Sequence, residues 1–225
     1  MNATAESAAA LGDGPAGIPQ PVLVRGTGLL GTSIGIGLSA AGVDVRLHDP
    51  SPAALAVAAD IRAGRPARLD AEGDDLDAAP GLVVVAAPPD VTADVVVDSL
   101  RRWPAAVVVD IASVKEAVAA GVRAAVDDGR LAPQDADRYL GTHPMAGSER
   151  SGPVAARGTL FTQAPWVLCP TDTTQPAALA AGRALALTLQ ATPYRMAARA
   201  HDESVALISH LPQIAASLVA SRLQD

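Results

Sequence analysis

His143 is the residue whose surroundings best fit bond-making chemistry. It follows a strand-like run, Tyr139–Thr142, and leads straight into Pro144-Met145-Ala146-Gly147-Ser148-Glu149. An imidazole titrates near neutral pH, so it suits the base that takes a hydroxyl proton as the carbinol carbon gives up hydride. A structural histidine is the plainer alternative. Ser113 follows another strand-like run, ending at Asp110, and opens Ser113-Val114-Lys115-Glu116. That is the S-x-x-E pattern of a capping box, in which Ser113 caps a helix and Glu116 returns the bond. A hydroxyl so placed accepts from a backbone N–H and still donates to an imidazole nitrogen.

A hydride needs an acceptor, and the chain carries a candidate cradle for one. Gly26-Thr27-Gly28-Leu29-Leu30-Gly31 is a G-x-G-x-x-G run between a strand-like and a helical pattern. Gly26 permits the tight turn, Gly28 close approach of a pyrophosphate, and Gly31 close packing of helix on strand. Backbone N–H groups at the helix start, around Leu29 and Leu30, meet the phosphate charge. By itself the run also fits an ordinary flexible turn. About twenty residues on, a second strand ends at His48-Asp49, where a carboxylate binds a ribose 2′-OH and repels a 2′-phosphate. Asp49 is alternatively a cap for the helix that begins near Pro52. No arginine directly follows Asp49, which favours NAD over NADP, although Arg46 and Arg62 lie within reach in sequence. Ala87 and Pro88, at the end of a third strand, are candidate walls of the same cleft, and the prolines equally suit a first helical turn.

The other polar candidates lie late in the chain. His201, Asp202, His210 and Gln213 fall on one helical segment, with positions 210 and 213 on neighbouring sides. His48 reads as a residue that packs or hydrogen-bonds at the end of the second strand, and the lone Cys169 as a buried one. No Cys/His cluster has metal-ligand spacing, so no metal is expected.

These residues need a scaffold, and the apolar pattern supplies one. Val22–Val24, Val43–Leu47, Leu82–Ala87 and Ala106–Val109 read as strands. Helical patterns alternate with them, near Ile34–Ala41, Pro52–Arg62, Asp90–Arg101 and Val114–Val126. Such alternation implies a Rossmann-type doubly wound α/β fold with a parallel sheet and right-handed crossovers. Tyr139–Thr142, Trp166–Cys169 and Tyr194–Met196 are further strand candidates around a helix at Ala177–Leu189. From Arg199 an apolar stripe of Val205, Ile208, Leu211, Ala215 and Leu218 recurs at helical spacing. The expected organisation is a disordered lead-in over 1–20, a dinucleotide-binding domain over 21–197, and the first helix of a mainly α-helical domain over 198–225.

Composition narrows the class. The 225 residues carry 17 basic and 24 acidic side chains, a net charge of −7, with no basic block to neutralise nucleic-acid phosphates. A 49% hydrophobic share with only 2% aromatics leaves Ala, Val and Leu to build the core. One cysteine excludes an intrachain disulfide and fits a reducing cytoplasm. No apolar run approaches a membrane span of about 20 residues, and the first twenty residues lack a signal-peptide pattern.

Taken together, the motifs resemble the prephenate/arogenate dehydrogenase family of tyrosine biosynthesis. The resemblance rests on Gly26–Ser33, Asp110–Lys115, HPMAGSERSG at His143–Gly152, Thr159-Leu160-Phe161 with Trp166-Val167-Leu168, and HDESVALISHLP at His201–Pro212. It implies NAD-dependent oxidative decarboxylation of prephenate or arogenate and a homodimer formed through a C-terminal helical domain. It also implies that His143 is the catalytic histidine, that Ser113 orients it beside the nicotinamide, and that Glu149, Asp202 and His210 lie at or near the substrate. Gln213 stands where some members carry another histidine facing the substrate side chain, which leaves the choice between prephenate and arogenate open. The family's ring-carboxylate arginine falls beyond Asp225, so the chain reads as truncated, with its apolar helical stripe left to drive association. Two other readings stay open: a nucleotide-binding protein without dehydrogenase activity, and a 3-hydroxyacid dehydrogenase.

Overall fold

The computed structural model describes residues 17–70 and 73–207. In chain order the elements are β1 (Val22–Arg25), α1 (Leu29–Ala40), β2 (Val45–His48), α2 (Pro52–Asp60), β3 (Arg65–Pro66), β4 (Leu69–Asp70), β5 (Gly73–Asp74), β6 (Leu82–Val85) and α3 (Pro89–Arg102). They continue with β7 (Val107–Asp110), α4 (Glu116–Asp127), α5 (Pro133–Ala136), β8 (Tyr139–Pro144), a 3₁₀ turn (Pro153–Ala155), β9 (Pro165–Cys169), α6 (Pro176–Thr188), β10 (Thr192–Arg195) and α7 (Ala198–Val205).

Eight strands form one sheet in the order β10-β9-β8-β7-β6-β1-β2-β3, with β4 and β5 as a separate small hairpin. From β3 through β8 every neighbouring pair is parallel. The chain leaves β1 for β2 on one side and later returns to β6 on the other. That reversal opens a crevice at the carboxyl ends of the strands, where ligands of doubly wound sheets bind. The Rossmann-type architecture expected from the strand–helix alternation is the one found.

Strand residues reach both faces because side chains alternate up and down. Val22, Val24, Leu82, Val84, Val107 and Val109 point to the layer holding α1 and α6, where they meet Ile34, Leu38, Ala181 and Leu185. Leu23, Val83, Val85 and Val108 point the other way, against Val96 and Leu100 of α3 and Val118 and Val122 of α4. Every residue of β6 and β7 is buried, which explains why these strands read as unbroken apolar runs rather than alternations. With so few aromatics the layers close up through small residues. A Cβ on Gly182 of α6 would strike Leu140 of β8, and one on Gly121 of α4 would lie 2.5 Å from the Ala93 side chain of α3.

Several expectations are corrected. Residues 17–20, assigned to the lead-in, pack on the fold: Ile18 is buried, and the Gln20 amide oxygen accepts from the Asp44 N–H at 2.9 Å. Residues 1–16 lie outside the described residues. β8 runs on past Thr142 through His143 and Pro144, so His143 belongs to the strand itself rather than following it. β8 and β9 are antiparallel, with His143 opposite Val167. The segment between these strands carries no α-helix of the kind that usually forms a parallel crossover, only a 3₁₀ turn. The hairpin at 69–74 and the short α5 carry too few residues for any periodicity to register. Among the described residues no helix is long and apolar enough to cross a membrane.

Candidate active site

The G-x-G-x-x-G run joins β1 to α1, and each glycine there answers a different constraint. Gly26 holds φ +111°, and a Cβ would run into the carbonyl of Ala86. At Gly31 a Cβ would run into the carbonyl of Gly26 and lie 2.9 Å from the Ala86 side chain. Both are therefore demanded by the fold. Gly28 is not: its φ is an ordinary −69°, and a Cβ there would meet nothing within 4 Å. It sits at the cap position of α1, whose start has neither a side-chain cap nor an acidic residue. An uncapped helix start with open space before it fits an anion such as a pyrophosphate.

Asp49, just past β2, closes the other side of this turn. Its Oδ2 accepts from the Thr27 N–H at 2.6 Å and from the Thr27 hydroxyl at 3.0 Å. Its Oδ1 accepts from the Ser51 N–H at 2.8 Å. The cap of α2 is Ser51, whose hydroxyl accepts from Ala54 N–H, so Asp49 is not the helix cap. Arg46 is buried and held by Asp44 and Asp77, and Arg62 does not line the cleft. A negative charge thus faces the cleft beside the turn, without either arginine as partner.

A cleft of about 710 Å³ follows the switch in strand order. Gly26, Gly28, Leu29, Leu30, Gly31, Asp49, Ala87, Pro88, Ser113 and His143 all line it. His48 lines it too, with Nδ1 3.2 Å from the Ala67 carbonyl and its pKa pushed down by burial. The hydrogen bond is one of the two roles expected of His48, and its place in the cleft is the addition. It sits opposite Arg25 in the β1–β2 register, and that alignment was invisible before the pairing was known.

His143 is held from below and behind. Under it lies a buried polar cluster: Lys115 is 1% and Asp110 0% exposed, and their side chains form an ion pair. Lys115 Nζ also donates to the Thr142 carbonyl at 2.6 Å, the Thr142 hydroxyl to the Asp110 carbonyl at 2.6 Å, and the Tyr139 hydroxyl to Asp110 Oδ2 at 2.7 Å. Burial, and then the Asp110 charge, pushes the Tyr139 hydroxyl up, so it stays a donor. These bonds tie the ends of β7 and β8 together directly beneath His143. Behind it, His143 Nδ1 lies 2.9 Å from Nε2 of His201, which is 1% exposed on α7.

The expected capping box does not form. α4 starts at Glu116, Lys115 occupies the cap position, and no local side chain caps it. The cap comes from Asp202 instead: Oδ1 accepts from the Lys115 N–H and Oδ2 from the Glu116 N–H, each at 2.9 Å. Oδ1 also pairs with His201 Nδ1 at 2.7 Å. Burial disfavours the charge on Asp202, yet the bonds from Glu116, His201 and Lys115 together hold its carboxyl below the ordinary range. Asp202 is thus engaged by the start of α4 and by His201, since a carboxylate is the natural partner of an uncapped helix start.

Glu149 stands apart from the main cleft. It is exposed in a neighbouring hollow of about 540 Å³ with Arg150 and Arg157, and its Oε2 accepts from the Ser148 hydroxyl at 3.3 Å. His210 and Gln213 lie outside the described residues. Cys169 is buried, its thiol pushed up to about 12 chiefly by burial, which makes it inert. Among the described residues no group of three His, Cys, Asp or Glu side chains is placed to hold a metal ion. Lys115 is the site residue that the sequence did not single out, and His201, placed there only on a late helical segment, had no role assigned to it. The signal for His201 was its place beside Asp202 on an amphipathic segment.

Comparison with known proteins bears on the family and the fold. Residues 35–193 match the family model described as prephenate dehydrogenase, nucleotide-binding domain. A probable prephenate dehydrogenase of Streptomyces niveus, NovF, is 38% identical over 206 residues, 92% of this chain and 53% of that protein. This chain thus spans about half the length of that relative. The crystal structure of Synechocystis arogenate dehydrogenase superposes with a TM-score of 0.74 at 28% identity, covering 89% of this chain and 68% of that one. Prephenate dehydrogenase from Aquifex aeolicus, solved with hydroxyphenyl propionate and NAD+, gives 0.77 at 24% identity, covering 90% and 69%. The latter likeness bears on the fold alone.

Proposed function

The chain belongs to the prephenate dehydrogenase family, and from that premise we propose that it supplies the cofactor and hydride-transfer half of an NAD-dependent prephenate or arogenate dehydrogenase. The observation that carries the proposal is one cleft lined at one end by Gly28 and Asp49 and at the other by Ser113 and His143. In this reading residues 21–197 form the dinucleotide-binding domain, and residues 198–225 begin a helical domain through which two copies pair. The setting is cytoplasmic, and the pathway is tyrosine formation.

The residues fit the cofactor. Gly28 leaves room for the pyrophosphate at the uncapped start of α1, with Leu29 and Leu30 beside it. Asp49 favours a ribose with a free 2′-OH and repels a 2′-phosphate, hence NAD. Ala87 and Pro88 wall the cleft towards Ser113. When bound, the nicotinamide supplies a hydride acceptor for the carbinol carbon of the substrate. His143 takes the hydroxyl proton as the C–H electron pair departs, which leaves a carbonyl. The ring C–carboxylate bond then breaks, its electron pair restores aromaticity and passes charge to the former carbonyl oxygen, which regains the proton from His143, and carbon dioxide and a phenol are released. Aromatisation drives the sequence, so the protein chiefly orients the ring and provides one base. Ser113 orients that base. Glu149, His210 and Gln213 belong to the substrate side by resemblance, and Gln213 bears on the choice between prephenate and arogenate.

The test is the appearance of reduced nicotinamide when the chain meets NAD with prephenate, then with arogenate. Turnover with one of them is expected. His143→Asn should lower it by roughly 10²–10⁴-fold while NAD affinity is kept. Turnover unchanged in that variant removes His143 from the reaction, and absence of NAD binding by the parent chain refutes the cofactor reading.

A further inference from the structure

We propose that His201, backed by Asp202, is a positioning residue that sets the tautomer of His143, so that His143 carries its proton on Nδ1 and presents a lone pair at Nε2. The proposal builds on His143 as the base, but its geometry and its test stand without that reading.

Three groups form a row: Asp202 Oδ1, the ring of His201, and the ring of His143. The contacts are 2.7 Å from Asp202 Oδ1 to His201 Nδ1 and 2.9 Å from His201 Nε2 to His143 Nδ1. The two rings meet edge to face, with centroids 5.1 Å apart and planes at 78°. His201 is 1% exposed, so solvent offers its nitrogens no substitute partners. An unmatched nitrogen there would carry the full cost of a buried polar group, about 1–3 kcal/mol.

Proton placement then follows from what each atom accepts or donates. An ionised carboxylate only accepts, so His201 Nδ1 carries a hydrogen. A neutral imidazole with hydrogen on Nδ1 is an acceptor at Nε2. Across 2.9 Å that acceptor requires a donor, and the facing atom is His143 Nδ1. His143 Nδ1 is therefore N–H, and Nε2 is left as the basic nitrogen. The opposite tautomer of His143 would set two lone pairs against each other in a buried contact. When His143 takes up a proton it keeps the Nδ1–H bond to His201, and Asp202 lies behind that ring to offset the new charge. This is the logic by which a buried carboxylate selects the tautomer of a catalytic histidine elsewhere, with one ring interposed.

Asp202 is itself held in place. Both of its oxygens are pinned by the first N–H groups of α4, where the helix dipole favours a negative charge. Its charged neighbours do not compete for it. Lys115 Nζ is committed to Asp110 and the Thr142 carbonyl, and Glu203 pairs with Arg199. Because α4 begins just after Ser113, one helix start anchors the row behind His143 and also the segment bearing Ser113. The first turns of α7 are thus part of the site's geometry, although α7 follows the whole cofactor-binding sheet in sequence.

The test reads the ring nitrogens directly, by long-range ¹H–¹⁵N NMR of the chain labelled with ¹⁵N-histidine, at about pH 8, above the ordinary imidazole range. In the parent chain both His143 and His201 should appear as Nδ1–H tautomers. In His201→Phe, His143 should move towards the Nε2–H form. In His201→Gln, whose carbonyl oxygen can still accept from His143, it should stay Nδ1–H. A merely structural role for His201 predicts no such split between the two variants. Where turnover is measured, kcat should fall about 10²-fold in His201→Phe, with the KM for NAD unchanged and partial recovery in His201→Gln. If His143 is the Nε2–H tautomer in the parent, or if His201→Phe leaves it Nδ1–H, the proposal fails. The parent spectrum decides even if neither variant folds. It also separates the two readings. An inactive chain with His143 as Nδ1–H counts against the dehydrogenase proposal alone, whereas an active chain with Nε2–H counts against this one alone.

Discussion

Two alanine substitutions three residues apart in the glycine turn, at Gly28 and Gly31, should have opposite consequences. A Cβ at residue 31 strikes the Gly26 carbonyl and comes within 2.9 Å of the Ala86 side chain. The carbonyl is backbone fixed by the β1–α1 turn, so it cannot swing aside. Overpacking of this kind costs about 1–3 kcal/mol. For a domain of this size that lowers the melting temperature by roughly 2–12 °C. A Cβ at residue 28 meets nothing within 4 Å, and the backbone there has an ordinary negative φ. Gly28→Ala should therefore leave stability within about 0.5 kcal/mol of the parent. Its effect should fall on the cofactor, because the methyl occupies the approach of the pyrophosphate to the start of α1. Losing one charge-assisted hydrogen bond of about 1.5–3 kcal/mol weakens NAD binding roughly 10- to 150-fold. Thermal unfolding and calorimetric titration with NAD measure the two effects separately. If Gly28→Ala melts like the parent and binds NAD equally well, the pyrophosphate does not pass Gly28, and the assignment of this turn is wrong. If Gly31→Ala is as stable as the parent, the close approach of α1 to β1 has been misjudged.

Two further substitutions probe what holds the site. Lys115→Met should destabilise the chain by roughly 3–5 kcal/mol in urea unfolding, because it strands the Asp110 carboxylate in a dry interior; adding Asp110→Asn should recover part of the loss, and a loss below about 1 kcal/mol would show that the pair is solvated. Asp202→Ala should cost about 0.5–2 kcal/mol near neutral pH as α4 loses its cap. The folded carboxyl of Asp202 titrates below its unfolded value of about 3.9, so its contribution is complete above that value and disappears as pH falls through the folded one. The stability gap between Asp202→Ala and the parent should therefore close as unfolding is followed from about pH 6 down to strongly acid solution, and a gap independent of pH would contradict the capping role.

Much of this protein is legible in local pattern. Buried parallel strands announce themselves as runs such as Leu82–Val85 and Val107–Asp110, because both faces of the central sheet are covered. The glycine turn and Asp49 declare themselves by residue type and spacing, since tight turns and close approaches leave few alternatives to glycine. All ten residues expected at the cofactor and catalytic positions line one cleft, because they sit at carboxyl ends of parallel strands, which a doubly wound sheet gathers along one edge. What local pattern could not supply was partnership across long sequence separations. Ser113-Val114-Lys115-Glu116 has the letters of a capping box, yet the cap arrives from Asp202, 86 to 87 residues away. His48 reads as a packing or hydrogen-bonding residue, and its place in the cleft appears only once β2 is laid beside β1. His201 opens the HDESVALISHLP segment, but that segment does not name its partner; the link to His143 exists because α7 packs across α4 and β9 and seals that ring from water. Residue types set which bonds this chain is able to make. Which of them form was decided by the packing of α7 on the sheet, since a buried polar group takes whatever partner the fold brings within reach.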